Sequence, residues 1–292
     1  MKKRSGLKNF IITVILICLL FKPAVFVVNE ITDLWAYKNA PKGDEAVWSQ
    51  LQSKFDNKSS KNRFTDEDYE NIFMQSGLGK PAVDKLCALG QAEKINTYRE
   101  YYQSPKKFKC ERTGIFACHE HIADENKNLI NNPPFVDIQD GDILITLSIH
   151  SLGWRHGHAG IVTNAHNGTV LGAQMMGLPS NLSSINEWSS YPRVAVLRAK
   201  NTDITVRRQI AKYAEENFVD IEYSLFADYN DKMKDEEKGV PEKTHCANII
   251  KTIYGNFNID VDSNGGKIVT PNEILQSENL EVVQIYGNMR AD

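Results

Sequence analysis

The sequence predicts an α+β protein: an antiparallel sheet packed on helices, preceded by a small helical region and an N-terminal membrane segment. Apolar residues recur at helical spacing between about Asp44 and Tyr102. After Asn131-Asn132-Pro133-Pro134 the texture changes to short apolar runs punctuated by Gly, Asn and Pro, which reads as strands. Helical spacing returns from Thr205 onward, so strands come first and helices after, the order expected of an α+β domain over residues 131–292.

The chain opens with Lys2, Lys3, Arg4 and Lys8, runs apolar from Phe10 to Phe21, breaks at Lys22-Pro23 and resumes from Ala24 to Val28. Residues 1–28 are therefore expected to be an export signal or membrane anchor, with residues 10–28 retained in the membrane and secretion as the alternative. The basic flank should stay cytoplasmic, leaving the rest of the chain outside. These residues hold five basic side chains and no acidic ones, so the 34 Lys and Arg of the whole chain fall to 29 beyond them, against 37 Asp and Glu. An exported part this acidic is a poor partner for nucleic acid and for an anionic surface. Substrate recognition must then come from a local groove.

Residues 29–130 are expected to form the helical region. Val47, Trp48, Leu51 and Phe55 mark a first helix, and Thr65-Asp66-Glu67-Asp68 opens a second before Tyr69, Ile72 and Phe73, with Gly77 and Gly79 as its stop. Ala82–Leu89 and Ala92–Tyr102 follow, and Lys54–Asn62 is a polar connector. Further on, the expected strands are Ile143–Ser148, Ala159–Asn164, Thr169–Met175 and Arg193–Arg198, then helices over Thr205–Asn217 and from Cys246 to Gly255.

Of the five cysteines, Cys18 lies in the apolar segment, and Cys87, Cys110 and Cys118 cannot all pair with one another. A Cys110–Cys118 bridge is open outside the cytoplasm. A second reading takes Cys110, Cys118, His119 and His121 as zinc ligands, although Cys-x7-Cys-His-x-His is not the spacing of a closed tetrahedral site.

Cys246 is the cysteine with chemistry within reach. In Thr244-His245-Cys246-Ala247-Asn248-Ile249-Ile250 it stands at the start of an amphipathic helix, where backbone N–H groups and the helix dipole favour a thiolate. Ile249, Ile250, Ile253 and Tyr254 set the apolar face of that helix against a sheet. The base is expected from Gly157-His158-Ala159-Gly160-Ile161-Val162, where small neighbours allow close approach to His158. His156 is the rival base, and His245 is expected to point away from the thiol. If the strand after Thr169 runs to Met175, Gln174 shares a face with Gly172 and offers an amide oxygen to orient the imidazole. With Cys246 and His158 it makes up the expected catalytic set.

These residues resemble the circularly permuted NlpC/P60 (papain-like) cysteine hydrolases, in particular the YiiX/YebB-like and YycO-like group. The resemblance spans about residues 136–285. It rests on Gly141-Asp142-Ile143-Leu144, the Gly157–Val162 run, Thr169-Val170-Leu171, Ile185-Asn186-Glu187-Trp188, Val194–Arg198, Tyr223-Ser224-Leu225-Phe226, the His245–Ile250 run and Val269-Thr270-Pro271, in that order. It implies a permuted papain-like domain with Cys246 as nucleophile, His158 as general base and Tyr223 beside the oxyanion. Tyr223, Trp154 and His156 are the expected substrate-binding residues. The implied activity is amidase or endopeptidase cleavage of cell-wall (peptidoglycan) peptides, with no metal or other cofactor; the alternatives are acyl hydrolysis or transfer on lipid substrates, or a catalytically weak wall- or partner-binding module on the same scaffold. Members of that group usually carry a carboxylate where this chain has Gly172.

Overall fold

The computed structural model describes residues 42–55, 64–113, 117–151, 154–227 and 239–289, with residues 23–28 and scattered positions before residue 42. Helices α1 (Glu45–Phe55), α2 (Asp66–Ser76), α3 (Lys80–Ala88) and α4 (Lys94–Gln103) come first. The start of α2 is fixed locally: Thr65 and Asp68 form a reciprocal capping box, and Gly77, at φ 71°, ends the helix in the left-handed region.

A hairpin of β1 (Lys107–Arg112) and β2 (Ala117–Ala123) follows, so the expected helical region also carries strands. Strand β2 pairs in turn with β4 (Ile149–Ser151), giving a three-stranded antiparallel sheet. A disulfide joins Cys110 and Cys118 across this hairpin. That bond removes both sulfurs from the zinc reading, and among the described residues no group of three or more His, Cys, Asp or Glu is placed to hold a metal ion.

The main sheet has six strands, all antiparallel, in the order β11-β8-β3-β5-β6-β7. They are β3 (Ile143–Thr146), β5 (His158–Asn164), β6 (Thr169–Gly172), β7 (Asn181–Ser184), β8 (Val194–Ala199) and β11 (Leu280–Tyr286). Short helix α5 (Ile185–Ser189) follows β7. Helix α6 (Ile204–Asn217) follows β8, and α7 (Cys246–Gly255) and α8 (Pro271–Leu275) precede β11. A two-stranded parallel pair, β9 (Glu222–Tyr223) and β10 (Lys243–Thr244), leads into α7.

Both faces of the sheet are covered. Ile143, Ile145, Ala159, Ile161, Ala195 and Leu197 join Ile210, Phe218, Ile249, Ile250 and Ile253 in one core. The alternate residues Leu144, Val162, Val170, Val194 and Val196 join Trp48, Leu51, Ile72 and Ile95 in the other. Period-two alternation thus sends successive side chains to opposite helical layers, which is why β3 and β8 are buried along their whole length. A buried ion pair fixes the sheet to the loop before β3: Arg198 donates to Asp142 at 2.8 Å and to Asp137 at 2.9 Å.

The N-terminal membrane segment needs correction. Among the described residues no helix is long and apolar enough to cross a membrane, and most of residues 10–28 lie outside the described residues. The described helical stretch at 23–28 packs on the protein: Val25 is 3% exposed and the Arg112 guanidinium lies 4.9 Å from the Phe26 ring. The physical reason is in the sequence. Lys22-Pro23 cuts the apolar run well short of the roughly 20 residues a spanning helix needs.

Candidate active site

Helix α7 is amphipathic, and its Ile249, Ile250 and Ile253 are fully buried against the sheet. Each such side chain contributes roughly 1.5–3 kcal/mol, so the element bearing Cys246 is held by the core rather than by local propensity. His245 caps the helix from an extended backbone, its Nδ1 accepting from the Asn248 N–H at 3.4 Å. Cys246 is the first helical residue and is half-buried.

Strand β5 begins at His158. The turn before it needs Gly157, whose φ of 70° is left-handed and whose missing Cβ would lie 2.6 Å from the Thr146 carbonyl oxygen. His158 then sits opposite Thr146 in the central pairing and is 7% exposed. Its ring stacks on Trp188 with centroids 5.3 Å apart and planes 18° from parallel. Gly160 makes room for that indole, since a Cβ there would meet Trp188 Cζ2 at 2.7 Å.

The two elements bring sulfur and imidazole together. The Cys246 thiol is hydrogen-bonded to the side chains of His158 and His245. Burial pushes the thiol up, but these two bonds and the charge of the two rings outweigh it and bring it from the ordinary 9.0 down to about 5. His245, expected to diverge, is thus a second imidazole on the same sulfur.

His156 lies before β5 rather than on it, because Gly157 turns the chain between the two histidines. Its Nε2 lies 3.2 Å from Ser151 Oγ and its Nδ1 3.2 Å from the Gly157 carbonyl oxygen. Burial lowers its pKa, while the Gly157 hydrogen bond and the charge of Cys246 work against that. Trp154 is 72% exposed, with its ring edge-on to His156 at 5.6 Å. Tyr223 pairs with Thr244 in the parallel β9–β10 ladder, two residues before Cys246. Burial and the charge of Cys246 raise its phenol, so it stays protonated and able to donate.

Gln174 stands apart from this group. Strand β6 ends at Gly172, paired with Asn181, so the alternation that would aim residue 174 at the imidazole stops two residues short, and Gln174 is exposed. The residue beside the ring is Gly172: a Cβ there would lie 3.3 Å from His158 Nε2.

His119, one of the four residues of the alternative zinc reading, instead feels the charges of the site's histidines. Burial and then the charges of His158, His121, His156 and His150 lower it to about 4. In the chain, Met175, Met176 and Leu178 follow Gly172, and Leu225 and Phe226 follow Tyr223, all exposed. The two stretches are tied together by Ser180, which donates to the Ile221 carbonyl at 2.9 Å and to the Phe218 carbonyl at 2.6 Å.

No family model matches the chain, and no curated protein does. Among solved structures it is similar to the metalloprotein YiiX from Escherichia coli O157:H7, with a TM-score of 0.40 and 13% identity over 51% of this chain and 98% of that one. A likeness of that degree assigns neither a fold family nor an activity.

Proposed function

We propose that this chain is a cysteine hydrolase of the permuted papain-like kind that cleaves amide bonds in cell-wall peptides. The single observation that carries the reading is the contact of the half-buried Cys246 thiol with His158 at a helix start, with its pKa brought down to about 5. In this mechanism His158 holds the proton taken from Cys246, and the thiolate attacks the carbonyl carbon. Negative charge develops on the carbonyl oxygen, where the first-turn N–H groups of α7 and the Tyr223 hydroxyl can donate to it. The amine leaves with the proton from His158. Water then gives a proton to His158 and its hydroxide cleaves the thioester, returning Cys246. The experiment is incubation with purified muropeptides followed by mass spectrometry. Cleavage by the wild type that vanishes in Cys246→Ala supports the reading, and an inert wild type overturns it.

A second reading has its own observation. The exposed apolar side chains Trp154, Met175, Met176, Leu178, Leu225 and Phe226 are suited to an acyl chain. Hydrolysis or transfer of acyl groups from lipid substrates would use the same thiolate, and release of fatty acid from a lipid panel separates the two.

A further inference from the structure

We infer that Glu120 and Arg155 are a positioning pair that fixes the wall of the candidate site carrying Trp154 and His156. The inference rests on the hydrolase reading of the site. Arg155 lies between those two residues in sequence, yet its guanidinium turns inward. Nη1 donates to Glu120 Oε2 at 2.9 Å and Nη2 donates to Oε1 at 2.6 Å, a two-pronged fork. Nη1 also donates to the Leu147 carbonyl at 3.0 Å, at the end of β3.

The acceptor is anchored in turn. Glu120 is fully buried, and a carboxylate in such a place is costly unless a cation meets it with good geometry. It sits on β2, two residues after Cys118, whose disulfide closes the hairpin. Its own N–H donates to the Ser148 carbonyl at 2.9 Å, and His150 Nε2 lies 3.4 Å from its Oε1. The segment from residue 154 to 157 therefore cannot lift from the protein without stripping the partner from a buried charge. That segment carries one broad exposed indole set edge-on to His156, whose imidazole feels the charge of Cys246, and it leads directly into His158.

Neither residue touches the reacting atoms in this scheme, so the pair should act on substrate placement and leave the thiol chemistry alone. The test uses the full chain with three variants: Glu120→Gln, Arg155→Lys and the double variant Glu120→Gln/Arg155→Gln, which removes both charges and leaves neither buried alone. Peptide-resolved mass spectrometry follows Cys246 alkylation by iodoacetamide and by the bulkier N-benzyl iodoacetamide. Hydrogen exchange reports on residues 151–157.

In the single variants and in the double variant, the expected result is iodoacetamide reactivity within about twofold of wild type, because the small reagent needs only the thiolate. The preference for the benzyl reagent over iodoacetamide should fall by about fivefold or more in Glu120→Gln and in the double variant, with faster exchange at residues 151–157 and none at α7. Arg155→Lys keeps the charge but not the fork and should fall between. With muropeptides, KM should rise about tenfold while kcat changes by less than threefold. An unchanged reagent preference with unchanged loop exchange overturns the positioning role. So does equal loss of reactivity towards both reagents, which would mean the pair merely supports the fold. The alkylation and exchange arms need no turnover. A wild type inert to muropeptides but with the predicted reagent and exchange shifts would sink the hydrolase reading and leave the positioning role standing.

Discussion

Replacing His158 by Ala should convert Cys246 from a thiolate that exists in mild acid into one that forms only near neutrality or above. The structure gives the magnitude. In the wild type two imidazoles bond the sulfur and bring it from 9.0 to about 5 against burial, His158 contributing more than His245. Losing the larger contribution should raise the midpoint by about two units or more. Reactivity does not simply scale with thiolate fraction, because a more basic thiolate is the better nucleophile, with a Brønsted slope of about 0.4–0.5. For a two-unit rise that gain is roughly eightfold. At pH 5 the wild type is then about half thiolate and the variant about 1%, so the wild type should alkylate roughly sixfold faster. At pH 8 both are largely ionised and the variant should be the faster, by about sevenfold. The two pH profiles must therefore cross. The assay is iodoacetamide modification from pH 4 to 9, read on the Cys246 peptide so that Cys87, the other free cysteine, does not contribute. A wild-type midpoint near 9, or coincident profiles for the two proteins, would refute the argued coupling between sulfur and ring.

Gly172→Asp should place a carboxylate beside His158, whose ring must give by a few tenths of an ångström because the new Cβ would lie 3.3 Å from Nε2, and by favouring the imidazolium should move the alkylation midpoint below that of the wild type. His119 is lowered from 6.5 to about 4, so between those values the unfolded chain binds the extra proton. The contribution of His119 to stability should be complete above about pH 6.5 and fall by about 3 kcal/mol by pH 4, with His121 and His156 adding loss in the same direction, as urea unfolding of wild type and of His119→Ala at a series of pH values would measure. Removing the Cys110–Cys118 bridge by paired Ser substitutions should lower the urea stability by about 2–3 kcal/mol, the loop-entropy value for so short a closure.

The meeting of Cys246 and His158 was legible because burial and chemistry write the same residues. The spacing of Ile249, Ile250, Ile253 and Tyr254 gives the helix, its first residue is the cysteine, and the Gly-rich run around His158 marks a strand approached closely by its neighbours. The hairpin at Lys107–Arg112 and Ala117–Ala123 was not legible. Strand β1 reads Lys-Phe-Lys-Cys-Glu-Arg, where Phe108 and Cys110 alternate with exposed lysines for only two periods and are themselves only half-buried, too short a pattern to stand out. Gln174 was drawn into the site by extending a strand along its apolar texture. The strand ends where its pairing with β7 ends, at Gly172 and Asn181, and sequence carries no mark of that. Trp188, His245 and the Glu120–Arg155 fork come to the site by packing between segments or by cap geometry, with no local signal to find them.

The division of labour in the molecule follows from where each group is held. Cys246 and His158 stand at the first positions of a helix and a strand whose next residues, Ala247, Ile249 and Ile250 on one side and Ala159 and Ile161 on the other, share one core. Their meeting is therefore as stable as that core and needs no ligand to assemble it, the condition for a preorganised nucleophile. The surrounding wall is different. Trp154, Met175, Met176 and Leu178 and the residues after Tyr223 lie in connections, where composition can change without disturbing the sheet. Core substitutions such as Ile250→Ala should thus reduce thiol reactivity and stability together. On the proposed hydrolase reading, changes at Trp154 or Met176 should leave the thiolate intact and alter which acyl group reaches it, so substrate scope would vary with the loops while the thiolate stays fixed.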